Sequence, residues 1–85
     1  MARCQVPKPD YPLIALQRRR EGTVLIRITV DTSGRVAEAK VVRPVDLLSE
    51  AALKAARAAR CTAATRGDQP VEEWVEVPVQ FLLPK

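Results

Sequence analysis

The chain has 85 residues, a hydrophobic content of 47%, a formal charge of +4 and no histidine. This is one domain near the small end of what a single core supports, burying somewhat over ~60% of its unfolded surface. No apolar run approaches the ~20 residues of a membrane span and no signal peptide precedes the fold, while the positive charge permits acidic partners without requiring them.

Residues 1–10 contain two prolines after the opening dipeptide and no periodic apolar pattern, so they read as an extended segment, held to the rest through Cys4. Met1-Ala2 reads as the start of a piece cut from a longer protein. The domain proper is expected over 11–85. Pro12 suits the first turn of a helix, where no N–H is needed, and Asp10 sits where a carboxylate favours a helix start. Leu13, Ala15 and Leu16 predict a short helix that stops at Gly22, with Arg18-Arg19-Arg20 compensating its negative end.

Thr23 to Val30 is the clearest strand, with Val24, Ile26, Ile28 and Val30 on one face and Thr23, Leu25, Arg27 and Thr29 on the other. Asp31-Thr32-Ser33-Gly34 is a turn, and Arg35 to Arg43 returns as a second strand until Pro44 ends it. The register of that strand stays open, because Val36 and Val42 fall on one side and Ala37, Ala39 and Val41 on the other. Asp46 and Ser49 are both candidate N-caps for a helix over Glu50 to Arg60. Its apolar face is Leu48, Ala52, Ala55, Ala56 and Ala59; Thr62 through Pro70 reads as a loop.

The last stretch, Val71 to Leu83, carries the organisation of the fold. Its odd positions are Val71, Val75, Val77, Val79, Phe81 and Leu83, broken by Glu73, and its even positions are mostly polar. Alternation of this kind predicts a half-buried strand. Pro78 has no N–H to give to a ladder, which places the strand at a sheet edge. An open edge is either a hazard or a docking site, and this one reads as a docking site. The fold class expected is α+β, with two helices packed on one face of a three-stranded antiparallel sheet in the order helix-strand-strand-helix-strand.

Cys4 and Cys61 cannot make a zinc site without histidine or further sulfur. A disulfide between them would close most of the chain into one loop and imply an oxidising compartment; two unrelated thiols are the alternative. Nothing indicates an enzyme, a metal or a cofactor: there is no Gly-rich phosphate loop and no nucleophile beside a base, and Glu72 and Glu73 point to opposite faces of a strand. Tyr11 reads as a packing residue at the helix entry or as a recognition group, and Trp74 either covers Leu25 or stands exposed for a partner. Glu72, Glu73 and Glu76 read as solvated.

Taken in order, Lys8-Pro9-Asp10-Tyr11-Pro12 with Ala15, Glu21-Gly22-Thr23-Val24, Val30-Asp31 with Gly34-Arg35-Val36, Ala51-Ala52-Leu53 with Ala55, Gly67 with Pro70-Val71, and Val77-Pro78-Val79-Gln80-Phe81 resemble the C-terminal domain family of TonB, the periplasmic energy transducer of Gram-negative bacteria. The resemblance covers nearly the whole chain. It implies an adaptor that grips the TonB box, a short extended peptide of an outer-membrane transporter, by adding it as a strand beside the last strand. It also implies coupling to the ExbB–ExbD motor through an inner-membrane anchor, and uptake of substrates such as iron-siderophores or vitamin B12. The partner-binding residues it implies are Lys8, Pro9, Asp10, Tyr11 and Pro12, with Val75, Glu76, Val77, Val79, Gln80, Phe81 and Leu82. A cysteine pair such as Cys4 and Cys61 is similar to a variant of the family, and supports the disulfide. Where the family has an aromatic residue and then a proline after the second helix, this chain has Cys61-Thr62-Ala63, and the disulfide is expected to replace that anchor. The implied location is periplasmic, as the soluble domain of an inner-membrane-anchored protein. Strand-exchanged homodimers are an expectation that an open edge raises.

Two other readings remain open from the sequence. A basic nucleic-acid-binding module would suit the charge and the Arg18 to Arg20 cluster, but there is no Gly-x-x-Gly loop or aromatic RNA-binding pattern, and the acidic last strand would repel phosphate. A TonB-like domain of another envelope protein, such as a TolA-like tether or a membrane sensor, is the other.

Overall fold

The computed structural model describes residues 1–84. In chain order the elements are β1 (Arg3–Gln5), α1 (Leu13–Gln17), β2 (Gly22–Val30), β3 (Val36–Arg43), α2 (Ser49–Arg57), β4 (Arg60–Thr62), β5 (Ala64–Arg66), β6 (Gln69–Val71) and β7 (Glu73–Phe81). A three-stranded antiparallel sheet in the order β3-β2-β7 stands with two helices, as the periodicity predicted. The short strands were not anticipated: β1 pairs with β4, and β5 pairs with β6.

The core grows from the alternation of β2. Val24, Ile26, Ile28 and Val30 are all fully buried. They cluster with Val79 and Phe81 of β7, with Ala15 of α1, and with Leu48, Ala52 and Ala56 at and within α2. Burying each of the large β2 side chains is worth about 1.5–3 kcal/mol. The small alanine face lets α2 approach the sheet, since a methyl group adds little thickness. No helix among the described residues is long and apolar enough to cross a membrane.

The ambiguous register of β3 is resolved by bulges. Pairing with β2 runs Leu25↔Arg43, Ile26↔Val41, Ile28↔Ala39, Thr29↔Glu38 and Val30↔Val36, with register shifts at both ends. Val42 and Ala37 are the extra residues, so Val36, Ala39 and Val41 all pack against the core despite their uneven spacing. The β2–β3 turn matches expectation. Gly34 has φ +86°, and a Cβ there would meet the Cys61 carbonyl oxygen at 2.9 Å. Asp31 Oδ1 accepts from Ser33 N (2.9 Å), Ser33 Oγ (2.6 Å) and Arg35 N (2.9 Å). These donors, led by the Ser33 hydroxyl, hold the carboxyl below its ordinary pKa.

Several boundaries move. Helix α1 ends before Gly22: Arg19 takes the left-handed conformation (φ 52°), Arg20 N donates to Ala15 O (2.8 Å) and Arg19 N to Leu16 O (3.0 Å). That is a Schellman closure made without glycine. Gly22 instead opens β2 against the Val45 side chain. Leu13 faces outward at 69% exposure, leaving Ala15 as the buried residue of α1. In α2 neither Asp46 nor Ser49 caps the start; Leu48 holds the N-cap position, and the Ser49 hydroxyl closes onto the main chain of Val45 (2.9 and 3.0 Å). The helix stops at Arg57 because Arg60 is already needed in β4. The expected loop after Thr62 is a hairpin turning at Gly67 (φ 61°).

Cys4 and Cys61 form a disulfide, seated where β1 and β4 pair residue against residue. Ala2, just before β1, is 4% exposed, and its N–H donates to Glu73 Oε1 at 2.8 Å. Glu73 is therefore half-buried and bonded instead of solvated.

The disulfide encloses a sequence separation of 57, so reduction should lower stability by about 4 kcal/mol in the loop-entropy picture, read as a drop in the urea midpoint on adding reductant. Asp31→Asn should be less stable than the parent at neutral pH. Because the folded carboxyl titrates below the unfolded one, that gap is full above the unfolded value and closes as pH falls through the folded one; paired denaturation curves across acidic pH measure it.

Candidate functional site: the open edge of the last strand

Pairing of β2 with β7 runs unbroken from Gly22↔Phe81 to Val30↔Glu73, and among the described residues no strand lies on the other side of β7. Which main-chain groups face that open side follows from the hairpin. Asp31 N donates to Arg35 O (2.9 Å) and Asp31 O accepts from Gly34 N (3.0 Å), so the polar groups of Asp31 face β3. Direction alternates residue by residue along a strand. Hence Val30, Ile28, Ile26, Val24 and Gly22 turn theirs toward β7, onto Glu73, Val75, Val77, Val79 and Phe81. The intervening Trp74, Glu76, Pro78 and Gln80 turn theirs outward. Pro78, opposite Leu25, thus withdraws a donor from the open side and none from the ladder with β2.

The side chains of the same four residues are exposed. Arg27 on the middle strand contacts two of them. Its Nη2 donates to Glu76 Oε2 at 2.8 Å, and its guanidinium carbon lies 4.2 Å from the centre of the Trp74 ring. Trp74 is 55% exposed and carries Arg27 rather than covering Leu25. Both ends of the Arg27–Glu76 pair are about a third exposed, so it contributes orientation more than stability.

At its far end the edge runs into a groove of about 530 Å³, lined by Lys8, Pro9, Asp10, Tyr11 and Leu16 on one wall and Gln80, Phe81, Leu82 and Pro84 on the other. Gly22 and Thr23, the β2 partners of Phe81 and Gln80, do not line it. Tyr11 stands edge-on to Phe81 with ring centres 5.4 Å apart, and its hydroxyl donates to the Arg20 carbonyl oxygen. Partial burial, with the Glu21 carboxylate nearby, raises the Tyr11 pKa. Tyr11 is thus a packing residue whose ring also walls the groove.

Two stretches singled out from the sequence, around Lys8 to Tyr11 and Gln80 to Leu82, therefore meet. Pro12 does not join them; it holds the N-cap position of α1. Val75, Val77, Val79 and Phe81 lie along the strand, but their main-chain groups are engaged with β2 and their side chains face the core. Trp74 and Pro78 were not in the expected set although they belong to the open side. The evenness of their positions was the available signal. At the other end, the Cys61 carbonyl packs under Gly34 and Ala64 is 1% exposed, so cysteine and alanine fasten the stretch after α2.

Hydrogen exchange should alternate along β7. Amides of Val75, Val77, Val79 and Phe81 should be protected to near the global stability, and those of Trp74, Glu76 and Gln80 should exchange close to the intrinsic rate. Uniform protection over 74–81 would contradict the assignment of the open side.

The family described as Gram-negative bacterial TonB protein C-terminal matches residues 7–83. Protein tonB2 of Pseudomonas aeruginosa is 40% identical over 79 residues, covering 91% of this chain and 29% of that protein. Protein TonB of Neisseria meningitidis serogroup C is 32% identical over 82 residues, covering 92% of this chain and 27% of that protein. The serogroup B protein matches at the same identity, with 26% of its length covered. The chain thus spans under a third of these relatives. With the match running through both walls of the groove and the whole of β7, the chain belongs to the TonB C-terminal domain family.

Proposed function

We propose that this domain is the receptor-gripping end of a TonB-type energy transducer, and that it takes the TonB box of an outer-membrane transporter as an added strand along β7. The observation that carries the reading is the unpaired side of β7, with main-chain groups of Trp74, Glu76, Pro78 and Gln80 turned outward next to the groove at Lys8 to Tyr11. Strand addition depends mainly on main-chain bonds, so one edge serves guests of differing sequence. Each bond contributes about 1 kcal/mol net, which makes the grip modest and release easy. A pull along the strand direction loads the bonds together, in shear, so a weak contact carries force for a short time.

In this reading the domain performs no chemistry and needs no cofactor. It works in the periplasm, joined by a segment outside this chain to an inner-membrane anchor and the ExbB–ExbD motor. Lys8, Pro9, Asp10 and Tyr11 guide the guest where it leaves the edge, and Leu82 bounds the same groove. The disulfide suits an oxidising compartment and fastens the end that is pulled.

Titration with a TonB-box peptide, followed by NMR, should shift amides from Val75 to Leu82 and slow exchange at Trp74, Glu76 and Gln80. Shifts confined to β3 and the helices, with those three amides still exchanging freely, would sink the reading.

A further inference from the structure

We propose that the open edge of β7 is built to refuse a second copy of itself while accepting a strand from a different chain, with Pro78 and Glu76 as the device. Two copies meeting edge to edge do so about a two-fold axis, which duplicates every defect. In the longest such register Trp74 faces the second copy's Gln80 and Glu76 faces the second copy's Pro78, because the outward residues are Trp74, Glu76, Pro78 and Gln80. Each copy's Pro78 then withholds a donor, and the ladder loses two bonds near its middle. Sliding the register by one pair brings Glu76 against its own copy. Sliding it the other way brings Pro78 against its own copy, where neither supplies an N–H. Like charges placed directly across a strand pair destabilise it. Arg27 lies on β2, and its bond draws the Glu76 carboxylate toward β2 and offsets part of its charge, so charge repulsion is the lesser of the two effects and the missing Pro78 donors carry most of the refusal.

A guest from another chain meets these features once instead of twice. It loses a single bond opposite Pro78 and brings no carboxylate of its own to Glu76. The partner that fits is an extended segment with a neutral or cationic side chain beside Glu76 and no proline among the residues that face the edge. The other rim of the sheet is protected by different means: the bulges at Ala37 and Val42 interrupt the regular pairing of β3. The guest half of this inference rests on the adaptor reading; the refusal of self-pairing does not.

Pro78→Val tests it, since the restored N–H faces the open side and leaves the ladder with β2 untouched. Two donors return in a self-pair and one in a guest complex, so the effect on self-association should be the square of the effect on guest binding. With about 1 kcal/mol per bond, that is roughly thirtyfold against roughly fivefold. Sedimentation equilibrium reads the first, and calorimetric titration with a TonB-box peptide reads the second. Pro78→Thr repeats the measurement with a polar residue, and amide spectra establish that both variants fold. The parent should remain a monomer at concentrations where the variants dimerise, with Trp74, Glu76 and Gln80 amides gaining protection in the dimer. Folded variants that stay as monomeric as the parent, or a parent that already pairs through those amides as tightly as they do, would overturn the proposal. Variants that dimerise while no protein binds the peptide would leave self-refusal standing and remove the adaptor reading instead.

Discussion

The central strand β2 is the constraint on which the molecule depends. Its four large aliphatic side chains are buried completely, and both of its edges are occupied, by β3 on one side and β7 on the other. A strand held on three sides cannot slip by one residue without moving Val24, Ile26, Ile28 and Val30 out of the core. It therefore fixes the register of β7 along its whole length, and with it which main-chain groups of β7 are spent internally and which remain outside.

That division of labour within one strand explains the composition of β7. Odd residues give side chains to the core and main-chain bonds to β2; even residues give both to the exterior. Proline is destabilising on the first set and harmless to the fold on the second, and the chain has it at Pro78. Glu73 is the exception on the odd set, and Ala2 accounts for it by donating to its carboxylate. The start of the chain is thereby tied to the start of β7, near the disulfide that holds β1 to β4.

The small core of an 85-residue chain needs such ties. The disulfide, the Schellman closure at Arg19, the Asp31 turn and the Ser49–Val45 closure each fasten a segment that hydrophobic burial alone would leave loose. Their placement leaves the outer side of β7 unpaired. Stability is concentrated behind the edge.

The sequence by itself determined the two-residue periods of β2 and β7, the alanine face of α2, the Asp31 to Gly34 turn and, through Pro78, the edge position of the last strand. These are local properties, because alternation and the loss of an N–H act within a few residues. What only the tertiary structure decided depends on contacts between distant segments. The bulges of β3 arise because Val36 and Val41 must both reach a core set by β2, whatever their spacing. The helix ends at Arg57 because Cys61 has to meet Cys4. The outward set of Trp74, Glu76, Pro78 and Gln80 follows from the direction in which Asp31 bonds across the hairpin, and the groove exists because Lys8 to Tyr11 folds back beside Phe81. Alternation along one strand says that two sides exist; only the neighbouring strand decides which of them is left open.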